Sequence, residues 1–310
     1  MKRLLVTGAD GFAGRWLVRA ARGAGRQVIA AIHPASTPPA EWTAAPEIET
    51  IAADLTRQDD VLRLGSVECD AVVHLAAVAS GAAARRDSDL AMAVNARATA
   101  ELAIHFARRH APRFLLVSTG EVYGAGHLEP IPESAPRAPC SPYAESKAAA
   151  EDAVVEVGRS TGMWTIIARA FPHSGPGQST AFVLPALASR LRAARRNGDA
   201  TIRAGNLGAI RDFLDVRDVV RGYLLLVEHG VDGEVYNVAS GVGRRLADCL
   251  AMLSSLVGVN VRVEEDPALL RPADIPVLIG DARRLRSATG WSPRFSFEQT
   301  LQDLVDAQTD

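Results

Sequence analysis

Tyr143 and Lys147 stand four residues apart in Ser141-Pro142-Tyr143-Ala144-Glu145-Ser146-Lys147, at the mouth of an Ala-rich run of helical character. Four residues make about one helical turn, so the two side chains share a face. A phenol titrates near 10 and moves protons poorly at neutral pH. An ammonium about 4 Å away, at an effective dielectric of about 20, favours the phenolate by about 4 kcal/mol, or roughly three pKa units. The expectation is a Tyr143 that titrates near neutrality and hands a proton to a carbonyl oxygen, or takes one back. Lysine is scarce: of 34 Lys and Arg residues only Lys2 and Lys147 are lysine, and the other 32 are arginine. A rigid guanidinium fork cannot replace a compact ammonium beside a phenol. An ordinary surface i,i+4 pair would suit a lysine-rich chain, which this is not.

A second constellation is Gly8-x-x-Gly11-x-x-Gly14, between the apolar run Lys2 to Thr7 and the amphipathic stretch Arg15 to Gly25. Strand, glycine turn and helix in that order let backbone approach a pyrophosphate at the helix N-terminus. Gly8, Gly11, Phe12, Ala13 and Gly14 are therefore candidate dinucleotide contacts. An acid for the adenosine ribose is expected about 20 residues on, but Ile32 and His33 stand there and the next acid is Glu41. With Arg15, Arg22, Arg26 and His33 as possible neighbours, the pattern leans toward a 2′-phosphate, NADP rather than NAD. Asp54 and Leu55, at the end of a third strand, either touch the adenine or cap the next element. Leu75-Ala76-Ala77 ends a fourth strand with flat backbone against which a cofactor can lie.

The elements that must hold these groups are buried strands separated by helices. Gln27 to His33, Glu49 to Ala53, Asp70 to Ala77, Phe114 to Val117 and Trp164 to Ala168 read as strands, and Leu90 to Arg109 as a helix. Continuous apolar strands alternating with helices indicate a parallel sheet covered on both faces. Pro34 to Pro46, with four prolines, reads as a surface loop. After Arg169 the alternation weakens. The boundary falls there: residues 1–170 form a dinucleotide-binding domain and 171–310 a substrate domain, with about 211–240, including a helix from Phe213 to His229, folding back on the first. Leu246 to Val257 and Phe297 to Ala307 read as further helices.

The length of 310 residues and 48% hydrophobic content allow a large core. A net charge of −2 leaves no electrostatic footprint for nucleic acid or an anionic membrane. No apolar run is long enough to span a bilayer, and Met1-Lys2-Arg3 leads straight into a strand with no room for a signal peptide. Cys69, Cys140 and Cys249 are few, separated and odd in number, which suits a reducing cytoplasm. The histidines have no metal-ligand spacing, so no metal is expected.

Thr7 to Gly14, Asp54-Leu55, His74-Leu75-Ala76-Ala77, Asn95, Ser118-Thr119-Gly120-Glu121-Val122-Tyr123-Gly124 and Tyr143-x-x-x-Lys147 with Glu151 follow one another in fixed order. In this the chain resembles the extended short-chain dehydrogenase/reductases that act on nucleotide sugars, over nearly its whole length. The resemblance implies a Rossmann-type doubly wound parallel sheet with a smaller C-terminal substrate-binding domain. It implies catalysis by Thr119, Tyr143 and Lys147, with Lys147 also on the nicotinamide ribose, and a homodimer packed through helices around Ala91 to Arg109 and Tyr143 to Gly158. Glu121 stands where related dehydratases keep a proton-transferring Glu; here it is either a substrate contact or a silent carry-over. Gly205-Asn206-Leu207 to Arg211-Asp212 and Arg271 to Asp281 are similar to segments of enzymes of GDP-mannose-derived sugars, and place Asn206, Arg211 and Arg271 at the substrate. Guanidinium forks suit a diphosphate. Pro172 replaces the family's usual substrate-touching Asn and cannot donate. The implied activity is NAD(P)H-dependent reduction of the C4 ketone of GDP-4-dehydro-6-deoxy-D-mannose. A 4-epimerase or dehydratase of the same fold is the alternative, and a nucleotide sensor without catalysis the remote one.

Overall fold

A sheet of seven strands runs through the computed structural model, which describes residues 1–270 and 275–307. The strands are β1 (Arg3–Thr7), β2 (Gln27–Ile32), β3 (Ile48–Ala52), β4 (Ala71–His74), β5 (Arg113–Thr119), β6 (Thr165–Ala170) and β7 (Val235–Val238). All pairings are parallel, in the order β7-β6-β5-β4-β1-β2-β3. The order reverses between β1 and β4, and such a switch opens a crevice at the carboxyl ends of the strands. The central strands are buried on both faces, between which successive side chains alternate. Leu4 and Val6 enter one core cluster and Leu5 the other.

Seven longer helices complete the frame: α1 (Phe12–Gly23), α2 (Thr99–Arg109), α3 (Pro142–Thr161), α4 (Val183–Asn197), α5 (Val216–His229), α6 (Leu246–Val257) and α7 (Phe297–Ala307). Leu17 and Val18 of α1 share a cluster with Val219 and Val220 of α5. Leu102 and Phe106 of α2 share the other with Val154 and Val157 of α3. A third cluster is built wholly from later residues, among them Leu187 and Leu191 of α4, Leu253 of α6 and Leu304 of α7. Among the described residues no helix is long and apolar enough to cross a membrane.

Several elements depart from the sequence reading. Within the expected loop Pro34 to Pro46, Ala40–Thr43 forms a short helix that buries Trp42. The helix expected over Leu90 to Arg109 is three pieces: Ser88–Met92, a π-helical segment Ala93–Ala98, and α2. Helix α4 was not anticipated, because Pro185 interrupts its start in sequence; in its first turn a proline removes no needed N–H donor. Strand β7 has only four residues and gains its identity by pairing with β6.

Candidate active site

Thr7 ends β1 and Gly8 turns the chain at φ +65°, in the left-handed region. A Cβ on Gly8 would lie 2.8 Å from the Ala76 backbone, and one on Gly14 would lie 2.2 Å from the Gly8 carbonyl oxygen. Both glycines are thus required by close approach, and the start of α1 is brought against the ends of β1 and β4 with its first N–H groups free of intrahelical partners. Thr7 Oγ1 accepts from the Ala76 N–H (3.2 Å) and bonds His74 Nδ1 (2.8 Å), while His74 Nε2 bonds Thr99 Oγ1 (2.8 Å). Burial, then the charge of Lys147, push the His74 imidazole down to about 3. It is a neutral strut joining β1, β4 and α2.

One cleft of about 730 Å³ gathers Gly8, Gly11, Phe12, Ala13, Gly14, His33, Asp54, Leu55, Leu75, Ala76 and Ala77 with Thr119, Glu121, Tyr143, Lys147, Pro172 and Arg211. At its β2–β3 end Asp54 accepts from Thr56 N (2.9 Å) and Oγ1 (2.7 Å), contacts that hold its carboxyl below the usual range. The carboxylate lies 4.0 Å from His33 Nε2. Asp54 therefore both organises its own turn and faces the cleft. Two of the basic residues expected nearby are elsewhere: Arg26 pairs with Glu228 and Arg22 lies 3.4 Å from Glu47, both acids outside the cleft lining. The reason is topological. Arg22 and Arg26 precede β2, so they sit at the opposite end of the sheet from its carboxyl edge. Arg15 donates to the Asp10 carbonyl (2.9 Å), and of the four only His33 lines the cleft.

Ser141 caps α3 by accepting from Ala144 N (3.2 Å), and Pro142 fills the first helical position. That start places Tyr143, Lys147 and Glu151 in successive turns. Lys147 and Glu151 are 3% and 1% exposed. Burial pushes the Lys147 ammonium down to about 8 against the opposing pull of Glu151. The Tyr143 phenol is raised, first by burial and then by the Glu121 charge, and hydrogen bonding to Thr119 only partly offsets this. This corrects the expected near-neutral phenol. Desolvation of the phenolate outweighs the attraction counted from spacing, and Lys147, lowered to about 8, has lost its charge before so raised a phenol ionises.

Glu151 closes a buried network that sequence reasoning noted only as a position one turn on. Its Oε1 accepts from Ser118 Oγ (2.5 Å) and Arg169 Nε (2.9 Å), and its Oε2 from Arg169 (2.7 Å) and Arg137 (3.2 Å). Arg169 lies over the Tyr123 ring at 4.8 Å, and Tyr123 donates to Asn237 (2.8 Å). Asn95 sits in the π-helical segment, where Oδ1 accepts from Val78 N (2.7 Å) and Nδ2 donates to Ser146 Oγ (2.9 Å). Ser146 in turn donates to the Tyr143 carbonyl (2.8 Å). Widened turns of this kind recur at functional sites; here it ties the wall of the cleft to the helix bearing Tyr143.

Of the residues expected at the substrate, Pro172 accepts at its carbonyl from Leu214 N (3.0 Å), and Arg211 donates to the Ile210 carbonyl (2.9 Å). The neighbouring Asp212 is riveted by Ser240 N, Gly241 N and Gly280 N, which fixes the strand that presents Arg211. Asn206 accepts from Gly208 N (2.9 Å) in a turn and is not among the cleft-lining residues. Arg271 lies outside the described residues. Phe182, Val183 and Leu184 at the start of α4, Phe213, and His173, stacked on Phe12 at 6.1 Å, also line the cleft. In sequence they are apolar or aromatic residues beyond Arg169 with no spacing that marks them.

A parallel sheet with a glycine turn at its switch point and a Thr–Tyr–Lys cluster at its carboxyl edge defines a dinucleotide-dependent oxidoreductase architecture. The model of the NAD dependent epimerase/dehydratase family matches residues 4–239, and the chain belongs to that family. It is 34% identical over 308 residues to GDP-6-deoxy-D-mannose reductase of Pseudomonas aeruginosa, covering 98% of this chain and 96% of that protein. The structure of RMD from Pseudomonas aeruginosa complexed with NADPH is similar at a TM-score of 0.84 and 31% identity, covering 99% of this chain and 98% of that one. UDP-glucose 4-epimerase from Thermotoga maritima, solved with UDP-glucose, has a TM-score of 0.89 at 27% identity, covering 98% of each chain.

Proposed function

We propose that this protein reduces the C4 ketone of GDP-4-dehydro-6-deoxy-D-mannose to GDP-D-rhamnose with NADPH or NADH. The observation that carries the reading is the convergence of Tyr143, Thr119 and Lys147 on one cleft with the glycine turn. The cleft fits a nicotinamide dinucleotide: its glycines leave the space that a Cβ would fill, and its volume is of the size that ligand sites take. When bound, the reduced cofactor supplies a hydride. Tyr143 stays protonated through neutral pH, because burial and Glu121 raise its phenol. That is the form needed to protonate a ketone oxygen as carbon is reduced. Thr119 orients the same oxygen, and Lys147 holds the ribose and stabilises the phenolate left behind. Gly8, Gly11, Phe12, Ala13 and Gly14 carry the pyrophosphate, His33 the ribose end, and Arg211 the substrate diphosphate. The end of β2, where Ile32 and His33 stand, carries no acid to hold the ribose, which favours NADP.

Residues 1–170 serve the cofactor and 171–310 the sugar nucleotide, with about 211–240 returned to the first unit. The enzyme works in the cytoplasm as a homodimer. A second reading, epimerase or dehydratase, is favoured by Glu121, whose charge acts on Tyr143. The two readings differ in redox balance. A reductase consumes added cofactor in proportion to product, whereas an epimerase or dehydratase returns its hydride within each cycle. Turnover of the keto sugar nucleotide with no net consumption of NADPH or NADH would refute the reductase.

A further inference from the structure

Tyr223 is a second tyrosine of the cleft that the proposed chemistry does not use. It comes from the middle of α5 and is fully buried, yet it borders the cleft. Its hydroxyl has no hydrogen-bond partner among the described residues. Buried hydroxyls are nearly always paired, and a phenylalanine would fill the same space without a stranded O–H. The ionisable group whose charge bears on this phenol is Tyr143, which places Tyr223 near the proton-transfer end of the cleft. It shares a core cluster with Val117 of β5 and Ala170 of β6, the strands that carry Thr119 and lead to Pro172.

The ends of the cleft can be told apart. The glycine turn meets a pyrophosphate and the β2–β3 edge an adenosine, so a nicotinamide falls at the β5–β6 edge, beside Tyr223. His173, which lines the same cleft, already uses Nδ1 on the Phe171 carbonyl (3.0 Å). A carboxamide offers both a carbonyl acceptor and N–H donors, and a phenol hydroxyl can meet either. We propose that the Tyr223 hydroxyl is a cofactor-positioning group that hydrogen-bonds the nicotinamide carboxamide and sets the rotation of the ring. This rests on reading the cleft as a nicotinamide dinucleotide site.

The test is Tyr223→Phe in the full chain, with two ligands: NADPH, and 2′-phospho-ADP-ribose, which lacks the nicotinamide. Cofactor-free Tyr223→Phe should melt about 2 °C higher, since it removes an unpaired buried hydroxyl. Its Kd for NADPH should rise about five- to tenfold, the weight of one hydrogen bond, while its Kd for 2′-phospho-ADP-ribose stays within about twofold. An unchanged NADPH affinity, or equal weakening of both ligands, would overturn the assignment. Failure of the unmodified protein to bind either ligand would instead overturn the cofactor reading, and the assignment with it.

Discussion

Replacing Lys147 by Met should make the cofactor-free protein more stable and inactive. The ammonium is buried, and its fall from the ordinary 10.5 to about 8 corresponds to about 3 kcal/mol against keeping it charged. Removing it does not strand Glu151, whose carboxylate keeps Ser118, Arg169 and Arg137. Between about 8 and 10.5 the unfolded chain binds a proton at this lysine that the folded protein does not. Stability therefore rises with pH across that window, and the penalty is complete below it. Thermal unfolding at about pH 7 should show Lys147→Met melting about 5 °C above the unmodified protein, a gap that narrows by about pH 9.5. Turnover with NADPH should be lost. A variant that melts lower at neutral pH would refute the reasoning, because the ammonium would then be stabilising the free protein.

Three further outcomes rest on individual contacts. His74, buried between Thr7 and Thr99 and held down to about 3, stays neutral while the unfolded chain protonates below about 6.5. Stability should therefore fall by a few kcal/mol as pH drops through that range; His74→Gln should flatten the dependence in urea titrations. Gly14→Ala would put a Cβ 2.2 Å from the Gly8 carbonyl oxygen, whereas one at Gly23 meets nothing within 4 Å. The first should cost about 1–3 kcal/mol and abolish cofactor binding, and Gly23→Ala should do neither, as calorimetry can check. Tyr143→Phe should lower kcat about 10²- to 10⁴-fold in steady-state assays while NADPH still binds.

Local repetition is what the sequence made legible. Apolar runs marked β1 to β6, the glycine spacing marked the turn, and the four-residue interval marked the face shared by Tyr143 and Lys147. Partners distant along the chain left no such trace: Ser118 and Glu151 are 33 residues apart, and Arg169 is 18 beyond Glu151. Tyr223 reads in an amphipathic helix as one more core aromatic, since nothing local says its hydroxyl is unpaired. The phenol of Tyr143 shifts opposite to expectation for the same reason. Spacing gives a distance between charges, but desolvation depends on everything packed around them.

The central claim is hydride delivery to a sugar carbon. Incubation of the keto sugar nucleotide with NADPH deuterated at the transferring position of its nicotinamide, followed by NMR of the product, tests it directly. Deuterium at C4 of GDP-D-rhamnose, with one cofactor consumed for each product formed, is the predicted result. Absence of cofactor oxidation with both NADPH and NADH, or a reduced product with no label at C4, would contradict it.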